Sequence, residues 1–216
     1  MLLKPSTFLV PTTIRDYPEW HYGRQNYVLW YLEINDPKLV HYLDMLRVHF
    51  SDFLLEPNNR QYHITLFICG FLTHEIKFHS DDFSFNEFEQ QRRILIKENF
   101  APFQLKIGSV DSFSSALFVE IQDNKNILSL IRQKLGTVSN EIAALDYCPH
   151  ITLGLYKKAY SSDLILQKIS ELSVQYQHAE FELKVEHLTF GYYDAQALQG
   201  KLYSYRHLFL GDSCCN

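Results

Sequence analysis

Gln61-Tyr62-His63-Ile64-Thr65-Leu66-Phe67-Ile68 and Pro149-His150-Ile151-Thr152-Leu153-Gly154-Leu155 share the tetrapeptide His-Ile-Thr-Leu, 87 residues apart (63 to 150). Each copy sits in an apolar run that reads as a strand. Side chains alternate faces along a strand, so each copy sets His and Thr on one face and Ile and Leu on the other. The apolar pair anchors a core and the polar pair looks away from it. Two matching polar faces imply two halves of one chain facing a common cleft.

Ten histidines and eight threonines in 216 residues give fewer than one His-x-Thr triplet by composition. Three occur, because His187-Leu188-Thr189 also fits. A single copy is weak evidence, since a half-buried structural histidine looks the same; two identical copies in strand-like runs are much stronger. His49-Phe50-Ser51 falls in a helical pattern, where i and i+2 do not face each other, and is set aside. His187 lies in a strand-like run, 181–190, and remains a decoy that pattern alone does not remove.

Outward from the motifs, a strand over 27–34 precedes Pro37, which suits the first turn of a helix over 37–55. Pro57-Asn58-Asn59 is a turn, and the first motif strand, 61–68, follows. Residues 81–84 supply a loop and cap for a charged helix over 86–99. Strands over 103–110 and 116–122 come next, then an amphipathic helix over 124–135 with Gly136 as its stop. The second motif strand leads to a helix over 162–172 and closing strands over 181–190 and 202–210. Strand–helix–motif strand thus occurs twice, over 27–68 and 116–155, as a degenerate repeat. The expected fold class is α+β: a bilobal, pseudo-two-fold domain of two antiparallel sheets with flanking helices and a central cleft. No Gly-, Pro- or Ser-rich linker divides the halves, so residues 1–216 are expected to form one unit of two intimately packed lobes. Residues 1–26 form an N-terminal extension.

Hydrophobic residues at 46% and charged residues at 21% give a globular balance. A net charge of −5 argues against a long nucleic-acid groove but leaves room for a local positive pocket. Aromatics at 15% supply core and, in surplus, stacking surfaces for bases. No apolar run reaches the roughly 18 residues of a membrane span, and Met1-Leu2-Leu3-Lys4-Pro5 does not read as a secretory signal. Cys69, Cys148, Cys214 and Cys215 form no CxxC pair and no metal spacing. A cytoplasmic monomer with no cofactor, no metal and no membrane partner is expected.

Facing histidines divide acid–base labour. One imidazole takes a proton from an attacking water while the other gives one to the leaving oxygen, which suits in-line attack at phosphorus. Each Thr hydroxyl can donate to a non-bridging phosphate oxygen as charge develops there. His63-Ile64-Thr65-Leu66 and Pro149-His150-Ile151-Thr152-Leu153 resemble the paired motifs of the 2H phosphoesterase superfamily, in particular its 2′-5′ RNA ligase and RNA 2′,3′-cyclic phosphodiesterase branch. The resemblance runs from about Tyr27 to Leu210 and includes the proline before the second His. It implies metal-independent cleavage or formation of 2′-linked phosphodiesters, with His63 and His150 catalytic and Thr65 and Thr152 holding phosphate. Where many members carry a basic residue after the second motif, Gly154, Leu155 and Tyr156 precede Lys157 and Lys158 here. That departure bears on the substrate more than on the chemistry.

Strand parity extends the site. Gln61 and Phe67 share the face of His63, and Cys148, Gly154 and Tyr156 share that of His150. Gly154 would admit a close approach of ligand or backbone. Tyr156 and Phe113 are candidates for stacking on a base, and Arg24, in the cluster Trp20-His21-Tyr22-Gly23-Arg24, is a candidate phosphate ligand. Cys148 reads as a small hydrophobe. The N-terminal segment either covers the cleft or packs on the sheet. The expected partner is a nucleotide or an RNA 3′ terminus, with cleavage of a 2′,3′-cyclic phosphate as the leading activity. A nuclease for 2′-5′ oligoadenylates or cyclic oligonucleotide messengers is one alternative, and an idle nucleotide-binding module the other.

Overall fold

The computed structural model describes residues 2–74, 76–142, 146–175 and 181–211. The Cys214-Cys215 doublet lies outside the described residues. After a short helix α1 (Pro18–His21), strand β1 (Asn26–Glu33) is buried almost end to end. Helix α2 (Pro37–His49) starts where Asp36 accepts hydrogen bonds from the backbone N–H groups of Lys38 and Leu39 and Pro37 presets the first turn. It stops short of the expected 55. The remaining apolar residues are retained by burial in turns, not by helical periodicity: Phe53 and Leu54 are in the core, and Leu54 bridges Tyr156.

Strand β2 (His63–Thr73) carries the first motif. A short strand β3 (Asp82–Ser84) ends in Ser84, which closes a capping box with Glu87 and launches helix α3 (Phe85–Glu98). Strands β4 (Phe103–Ser112) and β5 (Ala116–Gln122) form a hairpin. Helix α4 (Ile127–Leu135) ends at Gly136, as the sequence implied. Strand β6 (His150–Leu155) carries the second motif, and helix α5 (Ser162–Gln175) follows. The run read as one strand over 181–190 is two. Strand β7 (Glu182–Val185) pairs with β4, while β8 (His187–Asp194) pairs with β1 on the other arm of the sheet. Alternation cannot register such a change of partner. Strand β9 (Leu202–Phe209) closes the sheet.

The sheet order is β7-β4-β5-β6-β2-β1-β8-β9, with β3 parallel to β2. The two expected antiparallel sheets are therefore joined into one curled sheet whose halves meet at a single antiparallel bridge, Ile64 to Ile151. The halves mirror each other about it, because β1–β2 and β5–β6 are equivalent antiparallel pairs. Leu43, Leu46, Phe88, Ile131 and Ile165 from four helices share one cluster with Ile64, Leu66, Ile151 and Leu153. Helices thus cover one face of the sheet and leave the His–Thr face open.

Gly70 in β2 has φ +116°, and a Cβ there would sit 2.2 Å from the Asp81 carbonyl oxygen. Gly23 has φ +79° with open space around it. Gly70→Ala is expected to cost about 2 kcal/mol or more, combining backbone strain with a clash, and Gly23→Ala about 1 kcal/mol from conformation alone. Urea unfolding at a common slope separates the two, and equal losses would refute the clash argument.

Candidate active site

The bridge between Ile64 and Ile151 determines what faces the cleft. In an antiparallel ladder, the residues flanking a bridged pair lie opposite one another: His63 faces Thr152, and Thr65 faces His150. Both isoleucines are fully buried, so all four polar side chains project from the opposite face. Each His–Thr pair thus contributes half of one square, and the two imidazoles sit on its diagonal. The neighbouring strands repeat the arrangement. Tyr31 pairs with Thr65 and sets its ring edge-on to His63 at 5.9 Å; Phe118 pairs with Thr152 and packs against His150 at 5.1 Å. The spacing of 87 holds here too, relating Tyr31-Leu32-Glu33 to Phe118-Val119-Glu120. Sliding the sequence against itself at that offset would have found these flanking residues.

Both motif strands bulge at the same place. Leu66 is unpaired between Phe67 and Thr65 in the β1 ladder, and Leu153 is unpaired between Gly154 and Thr152 in the β5 ladder. A bulge inserts one residue and inverts strand parity beyond it. This corrects the parity reading. Phe67 is in the core. Tyr156 is fully buried, with its hydroxyl 2.6 Å from Ser112 Oγ, and does not reach the cleft. Gly154 makes room for Leu54, whose Cδ1 lies 3.0 Å from where a Cβ would be, and not for a ligand. The residues that regain the cleft are Ile68 and Leu155. The Arg132 guanidinium donates to the Leu66 carbonyl at 2.7 Å and pairs with Glu141, bracing the first bulge.

The imidazoles are held alike. His63 Nδ1 lies 2.8 Å from the Gln61 carbonyl and His150 Nδ1 2.8 Å from the Cys148 carbonyl. A carbonyl only accepts, so each Nδ1 donates and each Nε2 keeps its lone pair. Burial pushes His63 down to about 4, with Arg60 and His150 adding to the effect and the Gln61 bond opposing it. Burial lowers His150 too, against its bond to Cys148. Both rings are therefore neutral in the empty cleft at pH 7, and neither is the standing acid of a ready-made pair. Burial also raises Cys148, leaving a thiol and no ready nucleophile.

A cavity of about 340 Å³ opens beside the square, lined by His63, Thr65 and Thr152 together with Tyr17, Trp20 and Arg60. His150 stands just outside it, with Phe113 edge-on at 5.1 Å. The N-terminal segment thus does supply part of the wall, but through Tyr17 and Trp20. Arg24 is turned away, its guanidinium 2.7 Å from Asp81 and 2.6 Å from Asp82, so it is not a phosphate ligand here. The cation that sequence reasoning missed is Arg60. Its Nε donates to the Gly200 carbonyl at 3.0 Å, and its guanidinium lies over the Tyr193 ring at 3.9 Å. Among the described residues, no carboxylate pairs with it and none lines the cavity. Arg60 lies in the irregular segment before the strand, so periodicity could not place it. His187 lies outside this cavity, on β8 beside His207.

A curled sheet, antiparallel except for β3, presents two His-x-Thr pairs on one face beside a cavity. The sequence matches the profile of the 2′-5′ RNA ligase superfamily over residues 36–197, and the chain belongs to that family. Among solved structures the fold is similar to Escherichia coli LigT complexed with 3′-AMP, at TM-score 0.60 and 12% identity over 86% of this chain and 98% of that one. It is also similar to TT0787 of Thermus thermophilus, at 0.55 and 14% over 87% and 99%. A conserved protein of unknown function from Agrobacterium tumefaciens, ATU0111, matches at 0.55 and 12% over 93% and 92%. No curated relative matches the chain by sequence. Among the described residues, no helix is long and apolar enough to cross a membrane.

The depressed His63 has a consequence for stability. Between its ordinary value of 6.5 and about 4, the unfolded chain binds this proton and the native chain does not. Stability therefore falls as pH falls through that window. His63→Gln removes the titration, so the variant is expected to lose less stability than the parent between pH 7 and pH 5, read by chemical denaturation. Identical losses in the two proteins would show that His63 is not held neutral.

Proposed function

We propose that the protein is a metal-independent phosphodiesterase that opens a 2′,3′-cyclic phosphate on a nucleotide or at an RNA 3′ end. The observation that carries this reading is the square formed by two His–Thr pairs across the Ile64–Ile151 bridge. One histidine takes a proton from water as its oxygen attacks phosphorus. The other, protonated, passes its proton through Nε2 to the leaving ribose oxygen, and Thr65 and Thr152 donate to the non-bridging oxygens. Neutral rings in the empty cleft suit the base. The acid gains its proton when the substrate phosphate enters, because an adjacent anion favours the imidazolium.

The cavity supports a small substrate. Its volume of about 340 Å³ is at the lower end of ligand pockets, which fits one nucleotide better than an oligoadenylate. The complex of E. coli LigT with 3′-AMP is consistent with an occupant of that size. Trp20, Tyr17, Tyr27 and Tyr193 line the cavity with aromatic surface suited to a base, and Arg60 offers a charge without a protein counter-ion among the described residues. The lining favours binding of an anion and, among the described residues, supplies no carboxylate for a metal.

Purified protein in EDTA, given 2′,3′-cyclic mononucleotides, 2′-5′ oligoadenylate and cyclic dinucleotides, is expected to open the cyclic mononucleotides, with products resolved by mass. His63→Ala and His150→Ala should each lose about 10²–10⁴-fold in turnover, and the double variant little more. Loss of activity in EDTA with rescue by a divalent ion would end the two-histidine reading. Tight nucleotide binding without turnover would leave an idle binding module.

Arg60→Met should raise KM by about 10–100-fold with kcat little changed, as loss of a charged hydrogen-bonding partner to bound substrate. A fall in kcat at constant KM would move Arg60 from substrate holding to the chemical step.

A further inference from the structure

The row that carries His63 continues along the sheet. Glu33 is the β1 partner of His63, and the β1–β8 register pairs Tyr31 with Thr189. Two residues further along each strand, past the last paired residues, Glu33 comes beside His187. In the β8–β9 ladder, Thr189 pairs with His207 and His187 with Phe209. Directly paired residues share a face, as do residues two apart on one strand. Glu33, His187 and His207 therefore converge from three strands on one face, with ligand atoms all within 4.8 Å of one another. The two imidazoles are 5.0 Å apart and perpendicular, and Glu33 Oε2 is 3.9 Å from His187 Nε2, beyond hydrogen bonding.

We propose that Glu33, His187 and His207 form a binding site for a borderline divalent cation, zinc above all. Two imidazoles and a carboxylate match the donor preference of zinc and not that of magnesium or calcium, which take oxygen. The supporting contacts are those of ligands held for use. Fully buried Thr189 places Oγ1 3.1 Å from His207 Nδ1, which leaves Nε2 for the metal. Asn35 donates to Glu33 Oε2 at 3.2 Å, and the Tyr31 hydroxyl approaches Oε1 at 3.4 Å. Such outer contacts fix ring orientation and carboxylate basicity. Bonds of about 2.0–2.1 Å bring tetrahedral ligands to roughly 3.3 Å from one another, so the three groups must close by about an ångström or slightly more. Exposed His207 and half-buried Glu33 have the freedom to do so. Water would hold the fourth position. None of the three lines the catalytic cavity, so the site is independent of the phosphodiesterase reading. Its effect is to tie β1, β8 and β9 together and, by binding only the native state, to stabilise it.

The test uses full-length protein with any tag removed and metals stripped by EDTA and dialysis. Titration calorimetry with zinc chloride is expected to show one equivalent bound at micromolar affinity or tighter, with magnesium silent. Cobalt at the same site should give the visible absorption of a four-coordinate ion. His207→Ala and Glu33→Gln should each weaken zinc binding at least tenfold and abolish the zinc-induced rise in thermal midpoint, while His207→Ala leaves turnover on a cyclic nucleotide unchanged. His207 is exposed, so its variant should fold. His63→Ala should bind zinc as the parent does. Failure to bind, or binding only at millimolar zinc, would overturn the proposal. So would one equivalent retained by both site variants, or lost with His63→Ala, since the metal would then sit elsewhere.

Discussion

The pairing of Ile64 with Ile151 is the constraint on which the rest of the structure depends. It is the single bridge joining the four-stranded half β7-β4-β5-β6 to the half formed by β2, β1, β8 and β9 with β3 alongside β2. Both side chains are driven into the helix-covered core, where each buried aliphatic side chain contributes roughly 1.5–3 kcal/mol. A register slip of one residue in either strand would turn its motif over, burying His and Thr and exposing Ile and Leu. The hydrophobic preference of two residues thus fixes the position of four polar ones, and the juxtaposition of the two His–Thr pairs follows from the core.

The repeat at an offset of 87 residues made this legible in the sequence. His63, Thr65, His150 and Thr152 could be assigned to a common face because alternation is reliable over four residues. It failed two residues later in both halves, for one reason. The bulges at Leu66 and Leu153 invert parity, sending Phe67 and Tyr156 inward and bringing Ile68 and Leu155 to the cleft. Bulges arise from ladder hydrogen bonding across strands distant in sequence, which no local pattern records. The break at Glu186, where one strand-like run becomes β7 and β8 on opposite arms of the sheet, has the same origin.

The two arginines near the cleft show a second limit of sequence reading. Arg24 stands among aromatics in the sequence and looked available, yet Asp81 and Asp82, more than fifty residues away, neutralise it. Arg60 stands in an irregular segment before β2, yet it is the one that lies in the cavity without a carboxylate partner among the described residues. An arginine becomes an anion site through what is missing around it, and that is a property of the tertiary environment. The same environment lowers both histidines, since a cleft dry enough to bind phosphate strongly also penalises imidazolium.

These effects are coupled through charge. An empty cleft holding Arg60 and two imidazolium groups would carry up to three positive charges with no carboxylate among the described residues lining it, and burial resists that. Neutral rings keep the unliganded site near a single positive charge. A phosphodiester brings one negative charge, which balances Arg60 and admits a proton onto one ring. On the proposed reading, the protonated pair member is created by the substrate and is present only while substrate is bound. In the empty enzyme the acid is absent, so kcat/KM, which reports the free enzyme, and kcat, which reports the complex, should differ on the limb where the acid loses its proton. That limb should lie at higher pH in kcat than in kcat/KM, because phosphate in the complex favours the proton that burial resists in the free cleft. Coincident limbs in the two profiles would mean that phosphate does not set the charge of the pair.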